Sequence, residues 1–204
     1  MIRDTTSDKR GLRDTAPLPP LQFKKLLEWL RQRDFDVHLA MIVLHETSMR
    51  RGEVIRLKKN YVSLQEPAFV CIPDIEHKNK KPKVVMLTPL AANAIELLMK
   101  RGSDDGRVFQ FGPKTDKGKG AYILRLFKQA ATEVLGRPFL TIHQLRKENA
   151  SQQRMRGIDD DIRQRQTGHI DKSVMNQVYT LLPPEYRAQF YQDSFLGVYK
   201  VVQL

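Results

Sequence analysis

Thr141-Ile142-His143-Gln144-Leu145-Arg146 opens the stretch on which the reading of this chain turns; Gly168-His169 continues it and Val178-Tyr179-Thr180 closes it. His143 and Arg146 stand three residues apart, so on a helix they share one face. A histidine and an arginine side by side, a second histidine after a glycine, and a tyrosine further on are suited to holding a phosphate and attacking it. Each residue also has a plainer reading. His143 and Arg146 can be a satisfied histidine and a surface arginine. His169 can face the negative end of a helix, and Tyr179 can simply pack.

Composition narrows the choice. The chain has 204 residues, which suits one domain of mixed structure with a proper core. Its single cysteine rules out an internal disulfide and points to a reducing compartment, the cytoplasm by default. No apolar run reaches the length of a membrane span, and Met1-Ile2-Arg3-Asp4 lacks the apolar core of a signal peptide. The formal charge of +12 favours a polyanionic partner, most often nucleic acid, beside the plainer reading of a lysine-rich solvated surface.

Working back to the start, residues 1–18 mix charges with Thr, Ser, Gly and Pro without periodicity and read as a flexible arm or linker. Pro19-Pro20 lead into a helix over Leu21–Arg33 with Phe23, Leu26, Leu27 and Leu30 on one face. A more buried helix follows over Phe35–Thr47, then a short one over Arg51–Leu57 that leaves at Asn60. Tyr61–Leu64, Phe69–Ile72 and Lys83–Leu87 are short, apolar and separated by polar turns, the pattern of a small antiparallel sheet. Thr88-Pro89 caps a helix over Leu90–Lys100. Residues 101–119 read as a long exposed loop apart from Val108-Phe109, and helix returns over Tyr122–Leu135 and Ile142–Arg156. A short helix from Asp159–Asp161 to Gly168, another over Ser173–Tyr179 and an amphipathic one over Glu185–Phe195 complete a mainly α fold with one small antiparallel sheet, of the α+β class.

Further candidates lie upstream. Arg50 sits in Thr47-Ser48-Met49-Arg50-Arg51-Gly52-Glu53, where an ion pair with Glu46 or Glu53 is the plainer reading. Lys78 lies between two strands in Glu76-His77-Lys78-Asn79-Lys80-Lys81-Pro82-Lys83, where a solvated turn is the alternative. Cys71, between Val70 and Ile72, is expected in the core. Asp159-Asp160-Asp161 fits the acidic first turn of a helix better than a metal site.

Taken together, these pieces resemble the catalytic domain of the tyrosine recombinases, the family of phage integrases, Xer-type resolvases and fimbrial-switch invertases. Thr47-Ser48-Met49-Arg50-Arg51-Gly52-Glu53 is similar to the family's first box, with Ser48 in place of the usual glycine. Lys78, Lys83 and Val84-Val85-Met86-Leu87 match its hairpin lysine, following basic residue and apolar strand. His143-Gln144-Leu145-Arg146 matches the His-x-x-Arg box, and Gly168-His169 the Gly-His box, its histidine twenty-three residues past Arg146. The nucleophile then falls on Tyr179, ten residues past His169 where nine is usual. The resemblance covers about residues 19–196, with 19–204 as the catalytic domain, 185–196 as an exchange helix, and no N-terminal core-binding domain in the 18-residue arm. That implies either a trimmed catalytic fragment or a short stand-alone member.

The resemblance implies site-specific recombination of double-stranded DNA through a 3′-phosphotyrosyl intermediate, in an oligomer, expected as a tetramer, assembled on DNA. Arg50 and Arg146 would clamp the scissile phosphate, since planar guanidiniums grip two oxygens at once. Tyr179 would attack, Lys78 would protonate the leaving oxygen, His143 would act as acid or base or orient the phosphate, and His169 would hydrogen-bond a non-bridging oxygen. Glu53 would steady the arginine and the histidine from behind. The covalent link conserves the bond energy, so neither cofactor nor metal is expected. A type IB topoisomerase and a DNA-binding regulator without chemistry stand as alternatives.

Overall fold

Asp34 makes the first corner of the chain. In the computed structural model, which describes residues 18–73, 82–101 and 106–155 with the isolated positions 16, 75, 157, 158, 160, 163 and 164, this residue both ends helix α1 (Pro20–Arg33) and caps helix α2 (Phe35–Thr47). Its carboxylate accepts from the main-chain N–H of Val37 at 3.0 Å and from the Tyr122 hydroxyl at 2.8 Å. The corner is thereby tied to a distant helix as well as capped.

Helix α2 is the centre of the molecule. Val37, Leu39, Ala40, Met41, Ile42, Val43 and Leu44 are all buried, the all-round apolar character of a helix enclosed on every side. Packed around it are α1, α3 (Arg51–Ile55), α4 (Pro89–Arg101) and α6 (His143–Met155), while α5 (Asp116–Leu135) lies against α1 and α3. Burying a side chain such as Met41 or Leu44 in this centre stabilises the fold by about 1.5–3 kcal/mol each.

The expected sheet is present. Strands β1 (Val62–Ser63), β2 (Phe69–Ile72) and β3 (Lys83–Met86) pair antiparallel in the order β1-β2-β3, with Val70 opposite Val85 and Ile72 opposite Lys83. Val70, Ile72 and Val85 enter the core. Cys71 is only partly buried, which corrects the expectation that it is a core residue. It alternates with two inward neighbours and therefore points to the other face of the sheet.

Other boundaries also differ. Leu18, assigned by sequence to the arm, is fully buried in the core, and the Ala16 carbonyl accepts from Arg137 Nη2 and Gln144 Nε2. Helix α3 ends at Ile55, and a 3₁₀ turn over Lys59–Tyr61 replaces its last turn and the exit at Asn60. Residues 106–111 are not an exposed loop. Leu57 and Lys59 exchange main-chain bonds with Val108 and Gly106, which carries Val108, Phe109 and Phe111 inward. Helix α5 starts six residues before Tyr122, capped by Thr115, whose hydroxyl accepts from Gly118 N at 3.1 Å.

Asp160 pairs with Arg163 in the turn after α6, in keeping with acids at a helix start. Asp159, Asp161, the helices expected over 173–179 and 185–196, and Lys78, His169 and Tyr179 lie outside the described residues. Among the described residues, no helix is long and apolar enough to cross a membrane, and no cluster of His, Cys, Asp or Glu could hold a metal ion.

Candidate active site

Two turns bring the site together. The first, Ser48-Met49-Arg50, links α2 to α3, and Ser48 adopts the left-handed conformation with φ 53° and ψ 19°. This reverses the chain at once after α2 and leaves Arg50 as the residue that caps α3. The second, Thr141-Ile142, leads into α6, whose first residue is His143. Both turns open on one cleft of about 480 Å³, lined by Met49, Arg50, Arg51, Gly52, His143 and Arg146 among others.

Each arginine is anchored from behind. Arg146 is 8 % exposed, and its Nη1 donates to the Ser48 carbonyl at 2.8 Å. Arg50 Nη1 donates to Glu53 Oε1 at 2.9 Å, while the Arg50 main-chain N–H donates to Oε2, also at 2.9 Å. One carboxylate therefore fixes both the backbone and the side chain of Arg50. The plain reading of Arg50 as an ion-pair partner of Glu53 is thus true, and it leaves the rest of the guanidinium at the cleft wall.

Glu53 has a further partner that the sequence reading gave no special role. Lys83 at the head of β3 is 3 % exposed, and its Nζ donates to Glu53 Oε2 at 2.9 Å. Burial alone would raise the Glu53 carboxyl, but the Lys83 ammonium and the hydrogen bonds from Arg50 outweigh it and lower its pKa to about 2. Burial pulls the Lys83 ammonium down to about 8, against the attraction of Glu53 and helped by Arg146 and Arg50. Lys83 is thus a partner of Glu53 beside Arg50. Strand phase could have found it: Lys83 alternates with Val85 and Leu87, both in the core, and a lysine on a core face needs a buried partner.

His143 sits exposed at the mouth of the cleft. Partial burial, with the cations Arg146, Lys147 and Arg50 around it, lowers its pKa below the ordinary histidine value. The ring is therefore largely neutral near pH 7 and able to accept a proton. Burial first, then the neighbouring Arg50, also lowers the Arg146 pKa. Two guanidiniums and an α6 N-terminus facing one cleft form a positive pocket, which is what an oxyanion with growing charge requires. The structure thus brings Arg50, His143 and Arg146 together, with Glu53 behind Arg50.

Comparison with known proteins follows the same lines. A chain of XerA recombinase superposes with a TM-score of 0.59 at 23% identity, over 93% of this chain and 66% of that one. The Tn1549 transposon integrase in complex with transposon right end DNA gives 0.60 at 16% identity, over 90% and 67%. A lambda integrase tetramer bound to a Holliday junction gives 0.61 at 16% identity, over 78% and 48%. The chain thus spans 66% of the XerA chain and about half of lambda integrase. Among curated proteins, none matches by sequence. The model of the phage integrase family matches residues 18–185, from the buried Leu18 through both arginine turns and beyond Tyr179, and the chain belongs to that family.

Proposed function

We propose that this chain cuts and rejoins double-stranded DNA at specific sites, through a covalent bond between Tyr179 and a DNA 3′-phosphate. The observation that carries this reading is the cleft in which Arg50 and Arg146, each held by a buried acceptor, stand beside His143. A phosphodiester under in-line attack gathers charge on its non-bridging oxygens. Two fixed guanidiniums stabilise that charge without reorganising, and removal of one such donor typically costs about 2.7–4 kcal/mol of barrier.

In the proposed step the Tyr179 phenolic oxygen bonds to phosphorus as the P–O5′ bond breaks. His143 takes the phenolic proton, Lys78 gives a proton to the departing 5′ oxygen, and His169 hydrogen-bonds a non-bridging oxygen. Attack by another strand's 5′-hydroxyl reverses the step, so strand exchange needs no nucleotide energy. We further propose that residues 19–204 form the catalytic unit, acting in the cytoplasm on nucleoid DNA and assembling there as an oligomer, a tetramer as in the lambda integrase structure. The charge of +12 supports the DNA partner.

The test is a suicide substrate nicked beside the cleavage site. The wild type should be trapped as a protein–DNA adduct on a denaturing gel, whereas Tyr179→Phe should bind the same DNA and form none. An adduct surviving in the Phe variant would overturn the assignment of Tyr179, and a wild type that only shifts the DNA would overturn the reaction.

A further inference from the structure

Ser48 meets the other half of the cleft twice. Its carbonyl accepts from Arg146 Nη1 at 2.8 Å, and its hydroxyl donates to Asn149 Oδ1 at 2.6 Å. Asn149 stands three residues beyond Arg146 on α6, so both reach the turn from one helix face. The Asn149 amide also donates to the Glu46 carbonyl at 3.4 Å, in the last turn of α2. Gln153, a further turn along, donates to the same Oδ1 at 2.6 Å. All of this is enclosed: Ser48 is 0 %, Asn149 7 % and Gln153 4 % exposed.

Ser48 holds a φ of 53°, which glycine adopts freely and serine adopts at a conformational cost. A residue in that conformation persists where its surroundings over-determine it, and such residues gather at functional sites. Here the surroundings include the bond from the Ser48 hydroxyl to Asn149 and the bond from Arg146 to the Ser48 carbonyl. The first of these ties the turn carrying Arg50 to α6 without drawing on the side chain that must also grip the phosphate.

We propose that Ser48 is a positioning residue for the two arginines: with Asn149 it latches the Arg50 turn to α6 and so fixes the carbonyl that aims Arg146. The inference rests on the reading above, in which both arginines hold the scissile phosphate. The latch acts through placement, so its loss slows cleavage of bound DNA and leaves DNA affinity alone.

Ser48→Gly and Ser48→Ala separate placement from stability, because both lose the hydroxyl but only glycine relieves the backbone. Glycine should melt at or above the wild-type temperature and alanine below it. Single-turnover cleavage at saturating nicked DNA should nevertheless fall by about tenfold in both, since small misplacements at a reacting centre cost that much or more. Affinity should be unchanged. Asn149→Ala combined with Ser48→Gly should be no slower than the slower single variant, because one latch can be lost only once. Wild-type rates in Ser48→Gly, a deficit that follows melting temperature, or deficits that multiply in the double variant would each overturn the proposal while wild-type adducts still form. Absence of adducts in the wild type would overturn the underlying reading, and the latch with it.

Discussion

Glu53 and Lys83 show how one buried pair can serve a site without adding much stability. Both side chains are nearly sealed, at 3% and 2% exposure. The Glu53 carboxyl is held at about 2, below its unfolded value of 4.5, so it contributes stability above pH 4.5 that is lost as pH falls towards 2. Lys83 is held at about 8, below its unfolded 10.5, so its burial costs stability below pH 8, a cost relieved as pH rises from 8 to 10.5. The two effects oppose each other near pH 7, as the desolvation and the mutual attraction of a buried ion pair do. Breaking the pair is another matter, since it strands a charge. Lys83→Met should lower stability at pH 7 by about 3 kcal/mol, and the gap to wild type should close as pH falls through 4.5 towards 2, where Glu53 is neutral in both. Urea unfolding of the two proteins across that range measures it; a gap that stays constant with pH would remove the ion pair from the explanation. At this scale the sequence carried Arg50, Glu53, His143 and Arg146 plainly, through their spacing. It carried the partners less plainly. Arg146, Asn149 and Gln153 fall on one stripe of α6, where helical spacing ordinarily places apolar residues, but only the fold brings Ser48 against Arg146 and Asn149, and Lys83 against Glu53.

Among the elements, α2 was legible to the residue, because a continuous apolar run between Asp34 and a helix-ending turn leaves little choice of boundary. The start of α5 was not. Glycines among charges between residues 101 and 119 read as loop on local preference, yet Thr115 caps the helix and the buried segment before it holds the first turn in place, with the Lys119 ammonium donating to the Phe109 carbonyl at 2.9 Å. Packing overrides propensity there. The two glycines of this first stretch differ in what surrounds them. A Cβ on Gly118 would lie 2.7 Å from Pro113 Cβ and 2.9 Å from Thr115 Oγ1, a rigid ring and the cap itself. On Gly120 it would meet Ile55 and Arg51 of α3 at 3.5 Å and beyond, ordinary contact. Alanine gains about 0.8–1 kcal/mol over glycine in a helix interior. Gly120→Ala should therefore be neutral or stabilising, whereas Gly118→Ala should lose about 1–3 kcal/mol, the usual cost of overpacking. Thermal melts of both variants decide this, and equal melting temperatures would mean that the cap yields without cost.

The whole molecule poses the question of assembly. In the proposed function its charge of +12 would draw it to DNA, but charge alone gives independent binding, with each copy indifferent to the next. Cooperation needs a contact between copies, and a contact that closes into a ring must be head-to-tail, a segment of each copy seated on the next. The sequence offers one such segment. Pro183-Pro184 interrupt the chain shortly after Tyr179, and Tyr186, Phe190, Tyr191 and Phe195 then recur at helical spacing. We propose that residues 185–196 dock on a neighbouring copy, so that occupancy of one site governs the tyrosine of the next. The competing arrangement, in which the segment packs on its own chain, would make it part of that copy's stability instead. Removing residues 184–204 distinguishes the two. If the segment is exchanged, the shortened protein keeps its melting temperature and its affinity for a single site, while titration of a two-site DNA changes from cooperative to independent. If it packs at home, melting temperature and single-site affinity fall together. Gel shift against protein concentration, read beside a thermal melt, measures both, and cooperative complexes formed by the shortened protein at wild-type concentrations would rule out the exchange.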